Sequence, residues 1–446
     1  MGNRFLVVAA AVAAVLVPGR AGAIPAFARK YNVACSACHE AWPKLNDFGQ
    51  LFRDNGYRMN REKDNPVTQS GAYWPISMRT TVGYQYAAQT QVPVDPEGNT
   101  ATTGTGSFGF AGLDILTAGT LGEQVSFLVV YTPGLASAGF GLEPSDGDLE
   151  SAFVGFHRIF GTPFLNIRVG KHAPDLPVDE HRILTLTQGY NIYHFHPQGS
   201  AVTFEPGNNQ VGLELYGHSE LDGIRFSVSL LTENDAIFSN NWVSTPVVWG
   251  RVSGKVLLDN GILPEIKGGV FGSVGWHPTK ALSLTDPTTG VATPVAGTAY
   301  FNQPHERYGA DLHLLFLSNV NPLDITGVVM FGNEDKALID NGNGTRDAQW
   351  VGGFVEVDYT PTFRWTFVGR YERVRTTQSG ADTIGGVPVN QNEGDLTAYT
   401  LGVRYTHEFS NRAAVTLVLE GSQVTATVSN NKPKGSTLLL GVDFAF

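Results

Sequence analysis

From about Tyr73 to Phe446 the chain is built of short segments whose apolar side chains recur at every second position. That period is the signature of strands with different environments on their two faces. In "ISMRTTVGYQY", Ile76, Met78, Thr80, Val82, Tyr84 and Tyr86 share one face, while Ser77, Arg79, Thr81, Gly83 and Gln85 share the other. "FLNIRVGKH" opposes Leu165, Ile167 and Val169 to Asn166, Arg168 and His172. "RYGADLHLLF" opposes Tyr308, Ala310, Leu312 and Leu314 to Arg307, Asp311 and His313. The last segment aligns Leu438, Leu440, Val442, Phe444 and Phe446. Sixteen such segments start near residues 76, 107, 123, 149, 163, 209, 222, 247, 264, 306, 323, 348, 363, 396, 413 and 436.

The connections narrow the architecture further. Short links ("GTLGEQ", "FGTP", "SELDG", "TPT", "FSNRA") alternate with long polar ones near 88–106, 133–148, 173–208, 233–246, 277–305, 334–347, 376–395 and 429–435. Short turns on one side and long loops on the other, with an even strand number, describe a transmembrane β-barrel. A soluble sandwich also alternates, but it does not keep this rhythm of loop lengths and rarely needs so many strands. Closure has a physical reason, because in lipid every backbone N–H and C=O must pair internally and only a closed sheet has no edges. The mean hydropathy of −0.08 is unremarkable for such a chain, since lipid-facing and lumen-facing residues average out. The 52 glycines and 11% aromatics fit the same class. Residues 76–446 are therefore expected to form an all-β barrel of about sixteen antiparallel strands in the bacterial outer membrane, with both termini periplasmic. A strand ending on Phe446 resembles the ends of such barrels.

Ahead of the barrel, Arg4, the apolar run Phe5–Val17 and Ala21-Gly22-Ala23 read as a secretory signal, 1–23, cleaved after Ala23. The formal net charge of −11 becomes −13 once Arg4 and Arg20 leave. That balance argues against nucleic acid and suits cations and basic proteins.

Residues 24–75 hold the only two cysteines, in "CSACH". Cys-x-x-Cys-His is the attachment signature of a c-type haem. Cys35 and Cys38 are the thioether anchors in this reading, and His39 is the proximal iron ligand. A redox disulfide or half a zinc site is the rival, but no second cysteine pair and no surrounding βαβ pattern accompany the motif. "EAWPKLNDFGQLF" reads as an amphipathic helix over 40–52, with Pro43 in its first turn. The sixth iron ligand stays open between Met59, a histidine of the barrel or a loop, and a vacant or water-bound position. Met78 falls on the lipid-facing side of its strand; Met330 falls on the polar side of its own. About fifty residues bury little surface alone. A sixteen-stranded lumen is wide enough to admit a plug, so this small α-helical haem domain is expected to enter the barrel from the periplasmic end and take its missing burial from the wall.

"IPAFARKYNVACSACHEAWPKLNDFGQLFRDNGYRM" resembles the N-terminal stretch of the fused monohaem cytochrome–porins, outer-membrane iron oxidases of Fe(II)-oxidising bacteria. The matching residues are Pro25, Phe27 and Arg29, then Cys35, Cys38 and His39, then Pro43, Leu45, Gly49, Phe52, Gly56 and Tyr57. The resemblance covers about thirty-five residues and implies a haem-filled porin. It would take electrons from extracellular Fe(II), or another outside donor, and pass them to a periplasmic c-type cytochrome, as an oxidoreductase of the iron:cytochrome c type. No Fe(II)-contact motif can be matched to it. Four histidines, His172, His181, His194 and His196, fall in or beside the longest loop with Asp175, Asp179 and Glu180. The pair His194 and His196 suits a transient Fe(II) site or a distal haem ligand; the plainer reading is a polar loop that narrows the mouth. Two functions follow: an electron carrier with one covalent c-type haem, or a transport porin whose haem is structural or sensory.

Overall fold

The computed structural model describes residues 26–59, 66–67, 75–94, 99–133, 148–219, 223–232, 246–278, 283–285, 292–294, 302–317, 321–390, 392–410, 413–428 and 431–445. The signal expected at 1–23 lies outside these residues, as do Phe446 and nearly all of the loops expected at 133–148 and 233–246.

Sixteen antiparallel strands close into one barrel. They are β1 Ile76–Pro93, β2 Thr100–Thr120, β3 Val125–Thr132, β4 Asp148–Phe156, β5 Asn166–His172, β6 Gln210–His218, β7 Gly223–Leu231 and β8 Val247–Leu257. The second half comprises β9 Glu265–Pro278, β10 Asn302–Phe316, β11 Leu323–Glu334, β12 Ala348–Thr362, β13 Trp365–Gln378, β14 Leu396–Ser410, β15 Ala413–Ala426 and β16 Lys434–Ala445. Each strand pairs with its sequence neighbour, and β16 returns to β1 with Val442 opposite Val82, so no edge is left. The start of β1 and the end of β16 lie at the end where the short turns lie. Among the described residues, no helix is long and apolar enough to cross a membrane.

The period-two reading survives in detail. Along β12, Trp350, Phe354, Glu356 and Asp358 are buried in the lumen, while Val355 and Tyr359 face outward. Arg307 and Asp311 point in, and Tyr308 and Leu312 point out, as expected. Trp365, Tyr359, Phe367 and Tyr405 cluster beside the short turn between β12 and β13, an aromatic group at the level where barrel girdles meet headgroups.

Two boundaries differ from the sequence reading. The connection placed at 88–106 is mostly strand, because β1 and β2 stay paired as far as Pro93 opposite Thr100. These strands have 18 and 21 residues, whereas about 9–11 suffice to cross the hydrocarbon, so the hairpin projects well beyond the membrane. The fifth segment begins at Asn166 rather than near 163, because Ile159–Gly161 forms a 3-10 turn with Arg158 and Phe160 at positive φ.

The helix expected at 40–52 is also corrected. His39–Ala41 and Lys44–Leu45 pair as a small antiparallel hairpin with Trp42 and Pro43 at its turn. Helix α2, Asp47–Asp54, begins only afterwards; α1 is Ala26–Tyr31. Asn46 explains the late start. Its backbone is extended and its side chain accepts the Gly49 N–H at 2.8 Å, which is an N-cap.

The lumen is filled from both ends. The N-terminal segment packs at the short-turn end. The 173–208 connection runs inward, and through the short helix α3, Asn191–His194, it buries Tyr190, Ile192, Tyr193 and Phe204 completely. These pack with Trp249, Trp350, Phe354 and Met330 of the wall. Met330 thus reaches the lumen, as its face predicted, but belongs to this cluster.

Candidate functional site: the Cys-x-x-Cys-His cavity

Cys35–Ala37 forms a single 3-10 turn, closed by the Cys38 N–H donating to the Cys35 carbonyl at 3.1 Å. In such a turn residues three apart are eclipsed, so a C-x-x-C spacing presents both sulfurs on one side. The turn is held from behind by α2. Asn46 donates its backbone N–H to the Cys38 carbonyl at 3.0 Å and its side-chain amide to the Ala37 carbonyl at 3.1 Å. Gly49 presses against the Cys38 carbonyl so closely that a Cβ there would lie 2.1 Å from the oxygen.

The chemistry of the three motif residues is consistent with attachment. Burial pushes the Cys35 thiol up to about 12, with the Glu408 carboxylate adding to it, and burial pushes Cys38 up to about 11. Both stay protonated at neutral pH, unlike the depressed thiolates of redox or metal-binding pairs. The Nδ1 of His39 lies 3.0 Å from the Pro43 carbonyl. Donation there fixes the tautomer that leaves the Nε2 lone pair free, the usual arrangement of a metal-ligating imidazole. Burial holds this ring down at about 4, against the pull of the Pro43 carbonyl, so it is neutral and able to ligate.

These residues open on a cavity of about 330 Å³, within the range of about 300–1,000 Å³ typical of ligand sites. One wall is the N-terminal segment, through Phe27, Tyr31, Phe52, Tyr57 and Met59 as well as the motif. The rest of the lining is the barrel and the start of the 173–208 loop, including Leu116, Leu128, Phe153, His172 and His181. Arg79, Arg168 and Arg182 also line it, each paired with a carboxylate: Asp443 at 3.0 Å, Glu214 at 2.8 Å and Asp179. Met78, assigned to the lipid face, also lies in this lining; the register shift of β1 between Thr80 and Val82 interrupts the simple alternation beside it. The three arginines were not legible as site residues, because alternation gives the face of Arg79 and Arg168 but not their depth in the lumen, and Arg182 enters from the 173–208 connection.

Charged contacts fix the N-terminal segment to the wall. Lys44 meets Asp324 at 2.7 Å and Asp358 at 2.8 Å, as well as Glu40 at 2.7 Å. Asp47 meets Lys267 at 2.9 Å and Lys255 at 3.1 Å. Asp54 pairs with Arg225, and Arg53 meets Asp179 at 2.7 Å. Arg58 donates to the Gly122 carbonyl in the short turn after β2. Gly56, at φ +73, packs on the His157 ring, which is held between Ser126 at 2.6 Å and Tyr216 at 3.0 Å.

His194 and His196 sit away from this cavity. The two ring nitrogens of His194 lie 2.7 Å from Glu205 and 2.6 Å from Glu180. Burial opposes its charge, but the two carboxylates outweigh it and lift the ring to about 10, so it is an imidazolium held in an ion pair. His196 lies 3.5 Å from Glu205. Among the described residues, no group of three or more His, Cys, Asp or Glu is arranged to hold a metal ion. The loop does fold into the lumen, as its plainer reading expected.

The carboxy-terminal part of the chain matches a porin family model. Residues 235–446 match the beta-barrel porin-2, OmpL-like family. Solved structures similar to the chain include an anion-selective porin from Comamonas acidovorans, with 13% identity, 83% of this chain and 99% of that one covered, and a TM-score of 0.47. OprB from Pseudomonas putida shares 13% identity over 93% of this chain and 100% of its own, with a TM-score of 0.48. OmpF from Salmonella typhi shares 11% over 83% and 97%, with a TM-score of 0.49. No curated protein shows significant sequence similarity to the chain. The chain is a porin-like β-barrel of the bacterial outer membrane, with lipid around its apolar outer face.

Proposed function

We propose that this barrel carries electrons across the outer membrane through one c-type haem held in the cavity at its periplasmic end. The observation that supports this best is the shared lining: the Cys-x-x-Cys-His turn and the barrel interior line one cavity. Cys35 and Cys38 would add their thiols across the porphyrin vinyl groups, and His39 would ligate the iron through Nε2. Phe27, Tyr31, Phe52 and Tyr57 exclude water from one side, and Leu116 and Leu128 from the other. When bound, the haem supplies a one-electron Fe(III)/Fe(II) couple. The donor we propose is extracellular Fe(II), each ion giving one electron, and the acceptor is a periplasmic c-type cytochrome.

The second reading is a solute porin with a structural or sensory haem, and the porin family match over 235–446 favours it. Purified protein in liposomes separates the two. Reduction of the haem by external Fe(II), with Cys35→Ala and Cys38→Ala chains inert, is the outcome expected of the carrier. Solute flux with a haem indifferent to Fe(II) would sink it.

A further inference from the structure

The cavity has an imidazole on each wall. His39 belongs to the N-terminal segment, and His172 is the last residue of β5 on the barrel side. The two are held alike. The Nδ1 of His172 lies 3.1 Å from the Ala173 carbonyl, as that of His39 lies 3.0 Å from Pro43. His172 is 1% exposed, and its Nε2 is buried with no hydrogen-bond partner. A buried ring nitrogen without a partner is costly unless something occupies it. Phe153 packs edge-on against the ring at 6.4 Å and limits its freedom to turn away.

We propose that His172 is the second axial ligand of the haem, so that the iron is held by one imidazole from the plug and one from the barrel wall. This rests on the haem reading above. The Nε2 lone pair would bind the iron directly, and no proton leaves because the ring hydrogen stays on Nδ1 toward Ala173. The rivals in the lining are placed differently. Met59 packs into the plug's own aromatic cluster with Tyr31, Phe52 and Tyr57. His181 also has a buried Nε2 without a partner, but its Nδ1 is tied to the Glu150 carboxylate at 3.1 Å and 29% of its side chain is exposed, so it serves as an ion-pair partner, whereas His172 is held only by a backbone carbonyl and is 1% exposed. A histidine in place of methionine also sets the potential lower, since a thioether raises it.

The test uses the full chain matured with a c-type haem attachment system and purified in detergent. Electron paramagnetic resonance of the oxidised protein should show a bis-imidazole low-spin centre. His172→Ala should lose it and regain it with free imidazole, and His172→Met should shift the midpoint potential upward. His181→Ala and Met59→Ala should keep the wild-type signal. Folded-barrel mobility on unheated gels checks that each variant closes. An unchanged signal in His172→Ala, or loss of the signal in His181→Ala or Met59→Ala instead, overturns the assignment. A folded wild-type barrel with no covalent haem overturns the haem reading itself, and the two failures are distinct.

Discussion

Gly49 occupies the one face of α2 that has no room for a side chain. Its neighbour is the Cys38 backbone carbonyl of the Cys-x-x-Cys-His turn, which cannot swing aside as a flexible side chain would. Gly49→Ala should therefore push α2 off the Cys35–Cys38 turn, at a cost of about 1–3 kcal/mol for an overpacked contact. Haem absorbance per mole of folded barrel should fall; an undiminished haem content would show that the turn does not depend on this contact. At this scale the motif was plain, because thiols three apart and an adjacent imidazole have few other uses. What surrounds them was not. Arg79, Arg168 and His172 reach the cavity through strand register and loop entry, and Met78 joined the lining against its strand's alternation.

The element that joins plug to wall is α2 with the hairpin before it. Sequence spacing ran the helix back to Glu40 because Trp42 and Leu45 continue the apolar periodicity of Phe48, Leu51 and Phe52. Asn46, a cap residue in the middle of that run, marked the true start. At the other end of the helix, Asp54 is buried against the wall. Burial would raise its carboxyl, but Arg225 and then Arg53 outweigh it and hold it down at about 2. A depressed carboxyl contributes stability that is complete above its unfolded value of about 3.9 and is lost as pH falls through the folded one. Docking of the plug should thus weaken between roughly pH 4 and pH 2. Hydrogen exchange across 47–58 should report this, and Asp54→Asn should be weaker at neutral pH and flatter across the acid range. Equal acid sensitivity in the variant would assign the effect elsewhere.

For the whole molecule, the sixteen-strand count was legible because two solvents enforce one rule on every strand. Lipid outside and a packed polar lumen inside leave the period-two pattern almost no exceptions. Leu439 and Leu440 show the contrast, with 3% and 62% of their surfaces exposed. Leu440→Arg places a charge near the middle of β16 on the lipid side and should cost about 2–4 kcal/mol, read as a lower denaturant midpoint for folding into vesicles. An unshifted midpoint would mean that this face does not meet hydrocarbon. The filled lumen was less legible, because the residues that fill it, Tyr190, Tyr193 and Phe204, lie in a loop whose polar composition masks them.

The anchors of the plug are scattered around the ring: Ser77 on β1 receives the Ala26 N–H at 2.6 Å, Arg225 is on β7, Lys255 and Lys267 are on β8 and β9, and Asp324 and Asp358 are on β11 and β12. The set is complete only once β12 is in place. The plug precedes every one of these strands in the chain, yet finds its complete seat only after most of the sheet has been laid down. Until then its aromatic face and its Cys-x-x-Cys-His turn have no home, and chain order runs opposite to the order of docking.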